Sequence, residues 1–396
     1  MDPNKIEFLK NKIDSIFEKV KGFREHLHRN PELSFQEFNT MEFVANQLEK
    51  IGIPHEKNIA GTGVIGIIRG THHSQNTPCI GLRADLDALP IHEENEVNYK
   101  SKVDGVMHAC GHDVHTSILL GVAEVLFELK EQLSEPIKLI FQPGEEMNPG
   151  GASLMIQAGV LENPRVERMY GLHVFPDFPA GWIGLKGGLY MASSDEIHLT
   201  IKGVGGHGAL PENCVNPLIM GADFVLEGQR LIKEHCPENI PVVLSFGRFE
   251  ALGSTNVIPS FAEIKGTFRT MNEEWRSRAH ELLQTLAREI ESKYGGKIHL
   301  NISKGYPFLV NSEELTNSLK SKLQKAIGNE NVKDLKIRMT AEDFAFYSQK
   351  IPVCFFRLGT GKSDTSLNFG VHHPKFDIDS EALKTGMLAM VMAVLE

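Results

Sequence analysis

The chain has 396 residues, 41% of them hydrophobic, enough to build full cores over two or three domains. Its 51 acidic residues outnumber 41 basic ones for a formal net charge of −10, and Lys and Arg form no long run, which argues against a phosphate-tracking surface and against nucleic acid as a partner. No stretch reaches the roughly 18 apolar residues that a bilayer span requires, and the start MDPNKIEFLKNKIDSIFEKV carries acids and helical spacing where a signal peptide would be basic and then apolar, so a cytoplasmic chain with no membrane partner is expected.

Apolar residues at Ile6, Leu9, Ile13, Ile16, Phe17 and Val20 predict a helix over 4–29. A second follows over 34–51, with NPELSF supplying a proline break and Ser34 as a cap. Short apolar runs at 63–70, 79–91, 136–143 and 167–174 then predict buried strands, separated by helical stretches at 116–133 and 151–161. This alternation points to an α/β layer structure whose mixed central sheet is largely parallel and flanked by helices.

Near residue 187 the pattern becomes strand, helix, strand, strand, helix, the order of a ferredoxin-like α+β module inserted in the larger fold. KIHLNISKGYPFLV, a helix over 313–327, PVCFFRLG at 352–359 and the closing helix resume the first alternation. The expected division is a discontinuous domain of 1–186 and 298–396 around an insert of 187–297.

Two GxGxxG matches, at 61–66 and 203–208, are poor phosphate loops, because neither leads from a strand into a helix. HExxH, GxSxG and PCxxC are absent from the sequence. The five cysteines, Cys79, Cys110, Cys214, Cys236 and Cys354, are scattered and never form CxxC, which fits a reducing compartment rather than a disulfide framework or zinc ribbon. Cys110 lies in the histidine-rich stretch MHACGHDVHTS, with His108 and His112 two residues to either side.

Ligands of open α/β sheets bind at the carboxyl ends of the strands. Polar residues toward the ends of the predicted strands or in the loops after them are Asp85 and Asp87, Glu145 and Glu146, His173, and the pair His372 and His373. With Cys110 and His112 they form a thiolate, imidazole and carboxylate set suited to one or two divalent ions. Singly, each has a plain structural reading as a turn former, core histidine or solvated acid; their common position at sheet edges carries the inference. A Cys110 nucleophile, its pKa lowered between His108 and His112, stays open on the chemistry, although it gives the acidic pair of PGEE no task. In a metal hydrolase one glutamate ligates while its neighbour moves the proton.

RADLDALP, HACGHDVHTS, QPGEE, GLHV, GGHGALP, TNVIP, GTFR, AEDFAFY and HHPKF, in this order, resemble the two-metal aminoacylase and amidohydrolase family that includes hippurate hydrolase, indole-acetyl-amino-acid hydrolases and N-acetyl-diaminopimelate deacetylase. The resemblance spans nearly the whole chain. It implies Cys110, His112, Glu146, His173 and His372 as ligands of one or two ions of Mn, Zn, Co or Ni, with Cys110 bridging them. Glu145 would be the general acid/base, Asp85 would orient a ligand, and Asp113 would support its neighbours. His108 and His115 would be structural.

The insert would be a lid and homodimerisation domain, with His207 stabilising the oxyanion and Asn256 and Arg269 holding the substrate carboxylate. The chain departs from many relatives at Glu212, where they carry a second histidine, and in the glycine of PGEE. The implied reaction hydrolyses an N-acyl-amino acid to a carboxylate and a free amino acid. A dipeptidase or carboxypeptidase of the same fold is the nearest rival.

Overall fold

The computed structural model describes residues 2–395. The chain folds into two units: one takes the segment through Tyr190, Val310–Ile337 and the segment from Asp343, and the other takes Met191–Leu309 with Arg338–Glu342. Among the described residues no helix is long and apolar enough to cross a membrane.

The first unit begins with α1 (Pro3–Arg29), capped by the Asp2 carboxylate accepting from the Asn4 amide. Its predicted apolar stripe is buried. Helix α2 spans Phe38–Ile51 and starts four residues later than the sequence suggests. Ser34 does not cap it, because the Ser34 hydroxyl donates instead to Asp87 Oδ2 at 2.7 Å. Next come β1 (His55–Ile59), β2 (Gly63–Ile68), β3 (Cys79–Asp85), α3 (His112–Glu128), β4 (Ile137–Gln142), α4 (Gly151–Gln157), β5 (Val166–Pro179) and β6 (Ile183–Leu185), with β7 (Gly188–Met191) at the unit's edge.

In the second unit β8 (Asp195–Lys202), β9 (Gly206–His207), α5 (Pro217–His235), β10 (Val242–Glu250), β11 (Val257–Ile258), β12 (Phe261–Thr270), α6 (Glu273–Tyr294) and β13 (Lys297–Lys304) follow in order. Its antiparallel sheet runs β10-β12-β8-β13, the strand order of a ferredoxin-like α+β module. Ile197, Leu199, Phe224, Ile264, Phe268 and Leu283 belong to its separate core. The sequence pattern groups Lys297–Lys304 with the returning α/β segment. The structure pairs it instead along β8, Lys297 opposite Lys202 and Lys304 opposite Asp195, so that it closes the module as a sixth element.

After β14 (Leu309–Asn311) the first unit resumes with α7 (Glu313–Ile327), β15 (Val332–Asp334), α8 (Ala345–Ser348), β16 (Val353–Gly361) and α9 (Ala382–Val394). Its eight-stranded sheet runs β1-β2-β4-β3-β5-β16-β6-β15. The central strands β4, β3, β5 and β16 are mutually parallel, while β1, β2 and the β6–β16 pairing make the sheet mixed. β3, β4 and β16 are buried along their whole length, as expected of parallel strands covered on both faces. Helix α3 is buried around most of its circumference and packs on α1, α9 and β3.

Lys138 lies within this buried layer. Its ammonium donates to the carbonyls of Val160, Glu162 and Pro164 at 2.9, 2.7 and 2.9 Å, tying the loop before β5 to β4. Lys138→Met keeps the stem but leaves those carbonyls without their donor. It should lower unfolding free energy by about 2–4 kcal/mol, measured by denaturant titration.

Candidate metal centre

The four parallel strands present their carboxyl ends at one edge, and the polar groups gather there. β3 ends at Asp85 with Asp87 two residues beyond; β4 runs into Gly144, Glu145 and Glu146; β5 carries His173; and the turn into α3 carries Cys110 and His112. Gly111, at φ 84°, makes that turn, and a Cβ there would lie 2.6 Å from Val174 Cγ2. Gly144, at φ 57°, has the Phe35 ring 2.4 Å from where a Cβ would stand.

Cys110, His112 and His173 bring their ligand atoms within 4.8 Å of one another, and so do Cys110, Glu146 and His372. Cys110 is common to both sets, with Sγ 3.3 Å from His173 Nε2. Glu146 Oε1 stands 3.2 Å from His372 Nε2 and 4.0 Å from His112 Nε2. His373, the other half of the pair, stacks on Phe369 instead. Glu145 belongs to a third set with His112 and Glu146, and its Oε1 accepts from the Asp343 amide at 3.4 Å.

The ligand orientations are set by what lies behind them. His112 Nδ1 donates to Asp87 Oδ1 at 3.1 Å, which turns Nε2 into the cluster. His173 Nδ1 donates to the Val174 carbonyl at 2.8 Å and so frees Nε2 toward Cys110. The sequence reading gave the orienting task to Asp85. The hydrogen bonds of Asp85 run elsewhere, from Arg83 to its Oδ2 and from His115 to its Oδ1, each at 2.6 Å, while Oδ2 lies 3.7 Å from His112 Nε2. His115 Nε2 in turn accepts from the Val174 amide at 2.9 Å, so Asp85 steadies the strand that bears His173. Ser34 and the Glu146 amide both donate to Asp87 Oδ2.

The charges explain what the cluster lacks. Burial pushes the Cys110 thiol well above its ordinary range, and the Glu146 and Glu145 carboxylates push it further. This is the opposite of the lowered pKa that a nucleophilic Cys110 needs, and of the sequence-based expectation. Burial opposes a charged His112, but Asp85, Asp87 and Glu146 override it and raise its pKa to about 10. Burial, with Arg357 and His115, holds His173 neutral, well below the usual histidine range.

His112 Nε2 and Glu146 Oε1 are buried without a hydrogen-bond partner. Two stranded ligand atoms, a shared thiol and an excess of carboxylates fit one or two borderline divalent ions of the zinc and manganese kind.

His108 is also fully buried, with neither ring nitrogen bonded, and burial drives its pKa down to about 4. Asp113 faces Arg24 and His28 rather than the ligands. Two supporting residues were not singled out from sequence. Asp343 accepts from Arg83, Gln142 and the Ala152 amide, and Arg83 joins it to Asp85. The acidic pair in AEDFAFY was the available signal.

His207, Asn256 and Arg269 belong to the second unit. His207 on β9 pairs with Val257 on β11, and the Gly208 amide donates to the Asn256 carbonyl at 2.8 Å, so the first two are neighbours. Arg269 lies half-buried on β12 and donates to the Met339 carbonyl at 3.4 Å.

The sequence pattern of peptidase family M20/M25/M40 matches residues 81–396. The chain is 37% identical to the N-acetylcysteine deacetylase of Bacillus subtilis, covering 91% of this chain and 92% of that protein. It is 35% identical to thermostable carboxypeptidase 2 of Saccharolobus solfataricus over 99% and 98% of the two chains. The crystal structure of the Bacillus subtilis YXEP protein, described as a dinuclear metal binding peptidase, is similar with a TM-score of 0.78 at 32% identity, over 96% of this chain and 98% of that one.

Asp87→Asn keeps size and polarity but weakens the acceptor behind His112. It should raise the dissociation constant for Mn²⁺ or Zn²⁺ about 10–100-fold without changing the fold, checked by metal titration beside circular dichroism.

Proposed function

The chain belongs to peptidase family M20/M25/M40, and we propose that it is a metal-dependent amidohydrolase that cleaves N-acyl-amino acids to a carboxylate and a free amino acid. The observation that carries this reading is the division of labour in the adjacent glutamates. Glu146 sits within the set shared by Cys110 and His372, while Glu145 stands beside it against His112 and the Asp343 amide.

Cys110, His112 and His173 would hold one ion, and Cys110, Glu146 and His372 a second, of Mn, Zn, Co or Ni type. Such ions supply activation of water and polarisation of the scissile carbonyl. The Glu145 carboxylate takes the proton of the attacking water and delivers it to the departing nitrogen. In the second unit His207 is assigned to the oxyanion, and Asn256 and Arg269 to the substrate carboxylate, for which a guanidinium is the natural bidentate partner. Homodimerisation through that unit is supported by β10, an edge strand of its sheet, and by the exposed Phe249, Leu226 and Leu252. The deacetylase similarity supports an acyl-amino acid substrate; the carboxypeptidase similarity supports a peptide as the competing choice.

Glu145→Gln should retain metal binding while kcat on an N-acetyl- or N-benzoyl-amino acid falls about 10²–10⁴-fold; full activity would remove Glu145 from the mechanism. Chelation should abolish turnover, and Mn²⁺, Co²⁺ or Zn²⁺ should restore it. The enzyme should prefer acyl-amino acids in kcat/KM over dipeptides matched in the released residue. Activity that survives chelation and is lost on thiol alkylation would favour a cysteine nucleophile.

A further inference from the structure

His372 occupies an irregular loop between β16 and α9, at φ 66° and with its side chain 52% exposed. The other members of the cluster stand on or beside buried strand and helix ends. A non-glycine residue in the left-handed region holds its place only where its surroundings enforce it. Bonds that fasten this loop to the chain around it include His372 N to the Ala109 carbonyl at 2.8 Å, Glu94 N to the Pro374 carbonyl at 2.9 Å, and Asn95 Nδ2 to the Phe376 carbonyl at 3.0 Å.

A further anchor is ionic. Asp377, five residues after His372, accepts from Arg24 at 2.9 Å, from the Tyr99 hydroxyl at 3.0 Å and from Lys362 at 2.7 Å. Through its Nε the same Arg24 guanidinium donates at 2.9 Å to Asp113, the residue next to His112. Both contacts are buried, with Arg24, Asp113 and Asp377 side chains 3%, 0% and 5% exposed. One planar group thus joins the start of α3 to the loop of His372.

We propose that Arg24 is a positioning residue for the ion assigned to Cys110, Glu146 and His372, acting through Asp377 to hold the His372 loop against the Cys110–His112 turn. This rests on the two-ion reading above. The two ligand sets differ in their dependence on that loop. Cys110, His112 and His173 come from the α3 turn and β5, and Asp113 is also held by His28 at 2.8 Å, so that set keeps its frame without the Asp377 link. The set containing His372 depends on how that loop is held, and the Asp377 link is the loop's buried ionic anchor.

The test is a Co²⁺ titration of the full-length, chelator-stripped protein, followed by calorimetry and by the thiolate-to-cobalt absorption band. Wild type should take up two equivalents. Asp377→Asn, which keeps shape but loses the charge and one acceptor, should weaken the second equivalent about 10–100-fold and leave the first nearly unchanged. Arg24→Gln should do the same, with Arg24→Lys in between because a single ammonium cannot make the bidentate span. If Arg24→Gln does not fold, Asp377→Asn decides alone, its fold checked by circular dichroism. Equal weakening of both equivalents, or none of the second, in folded Asp377→Asn overturns the proposal. A wild type that fails to take up two equivalents overturns the two-ion reading and the proposal with it.

Discussion

Buried carboxylates are the constraint on which the rest of this structure depends. Asp85, Asp87, Asp113, Glu145 and Asp343 are all nearly or wholly removed from water around Cys110, and Glu146 is close to it. A carboxylate in such surroundings is costly unless it is paired and hydrogen-bonded. Most of these acids have dedicated partners: Arg83 and His115 for Asp85, Ser34 and His112 for Asp87, Arg24 and His28 for Asp113, Arg83 and Gln142 for Asp343. Glu146 Oε1 is buried without a hydrogen bond, opposite an equally stranded His112 nitrogen. Divalent ions would complete that balance, and the same acids that push the Cys110 thiol upward would favour a cation there.

The fold serves this arrangement by geometry. Parallel strands end at the same side of a sheet, so β3, β4 and β5 each contribute polar groups to one edge although they lie far apart in the chain. Gly111 and Gly144 let the backbone turn where a Cβ would collide with Val174 or Phe35. Behind the ligands stands a layer of positioning contacts, in which Arg83 reaches both Asp85 and Asp343, and Asp343 in turn meets Glu145 through its amide. Glu145, proposed to move the proton, and the acids behind the candidate ligands therefore share one hydrogen-bonded network.

Much of this was legible without coordinates. The α/β alternation, the inserted α+β module and the helix over 313–327 follow from periodicity, because the burial of one face leaves a direct trace in residue order. The site was legible for a related reason: strand ends carry His173 and the PGEE acids, and HACGHDVHTS concentrates donors. The orienting role fell to Asp85 rather than Asp87 in the sequence, because local spacing does not report which of two nearby acids meets His112. Ser34 looked like a helix cap because a Ser after a Pro break satisfies the local rule; its partner 53 residues away has no local signature. The final strand of the module, Lys297–Lys304, was grouped with the wrong unit because alternation names a strand but not the sheet it joins.

Sequence alone determined the element order, the family-level motif set and the residue types able to bind ions, since these depend on local periodicity and on chemistry carried by each side chain. Only the tertiary structure decided which donors meet. It placed Cys110 between two candidate ligand sets, gave His112 to Asp87 and linked Arg24 to Asp377 across 353 residues. It also reversed the sign of the Cys110 shift. Neighbouring histidines in sequence suggest a stabilised thiolate, whereas burial and two glutamates brought in from after β4 oppose one. The physical reason is common to all of these: desolvation and Coulomb interactions act over ångströms of space, and separation along the chain does not report them.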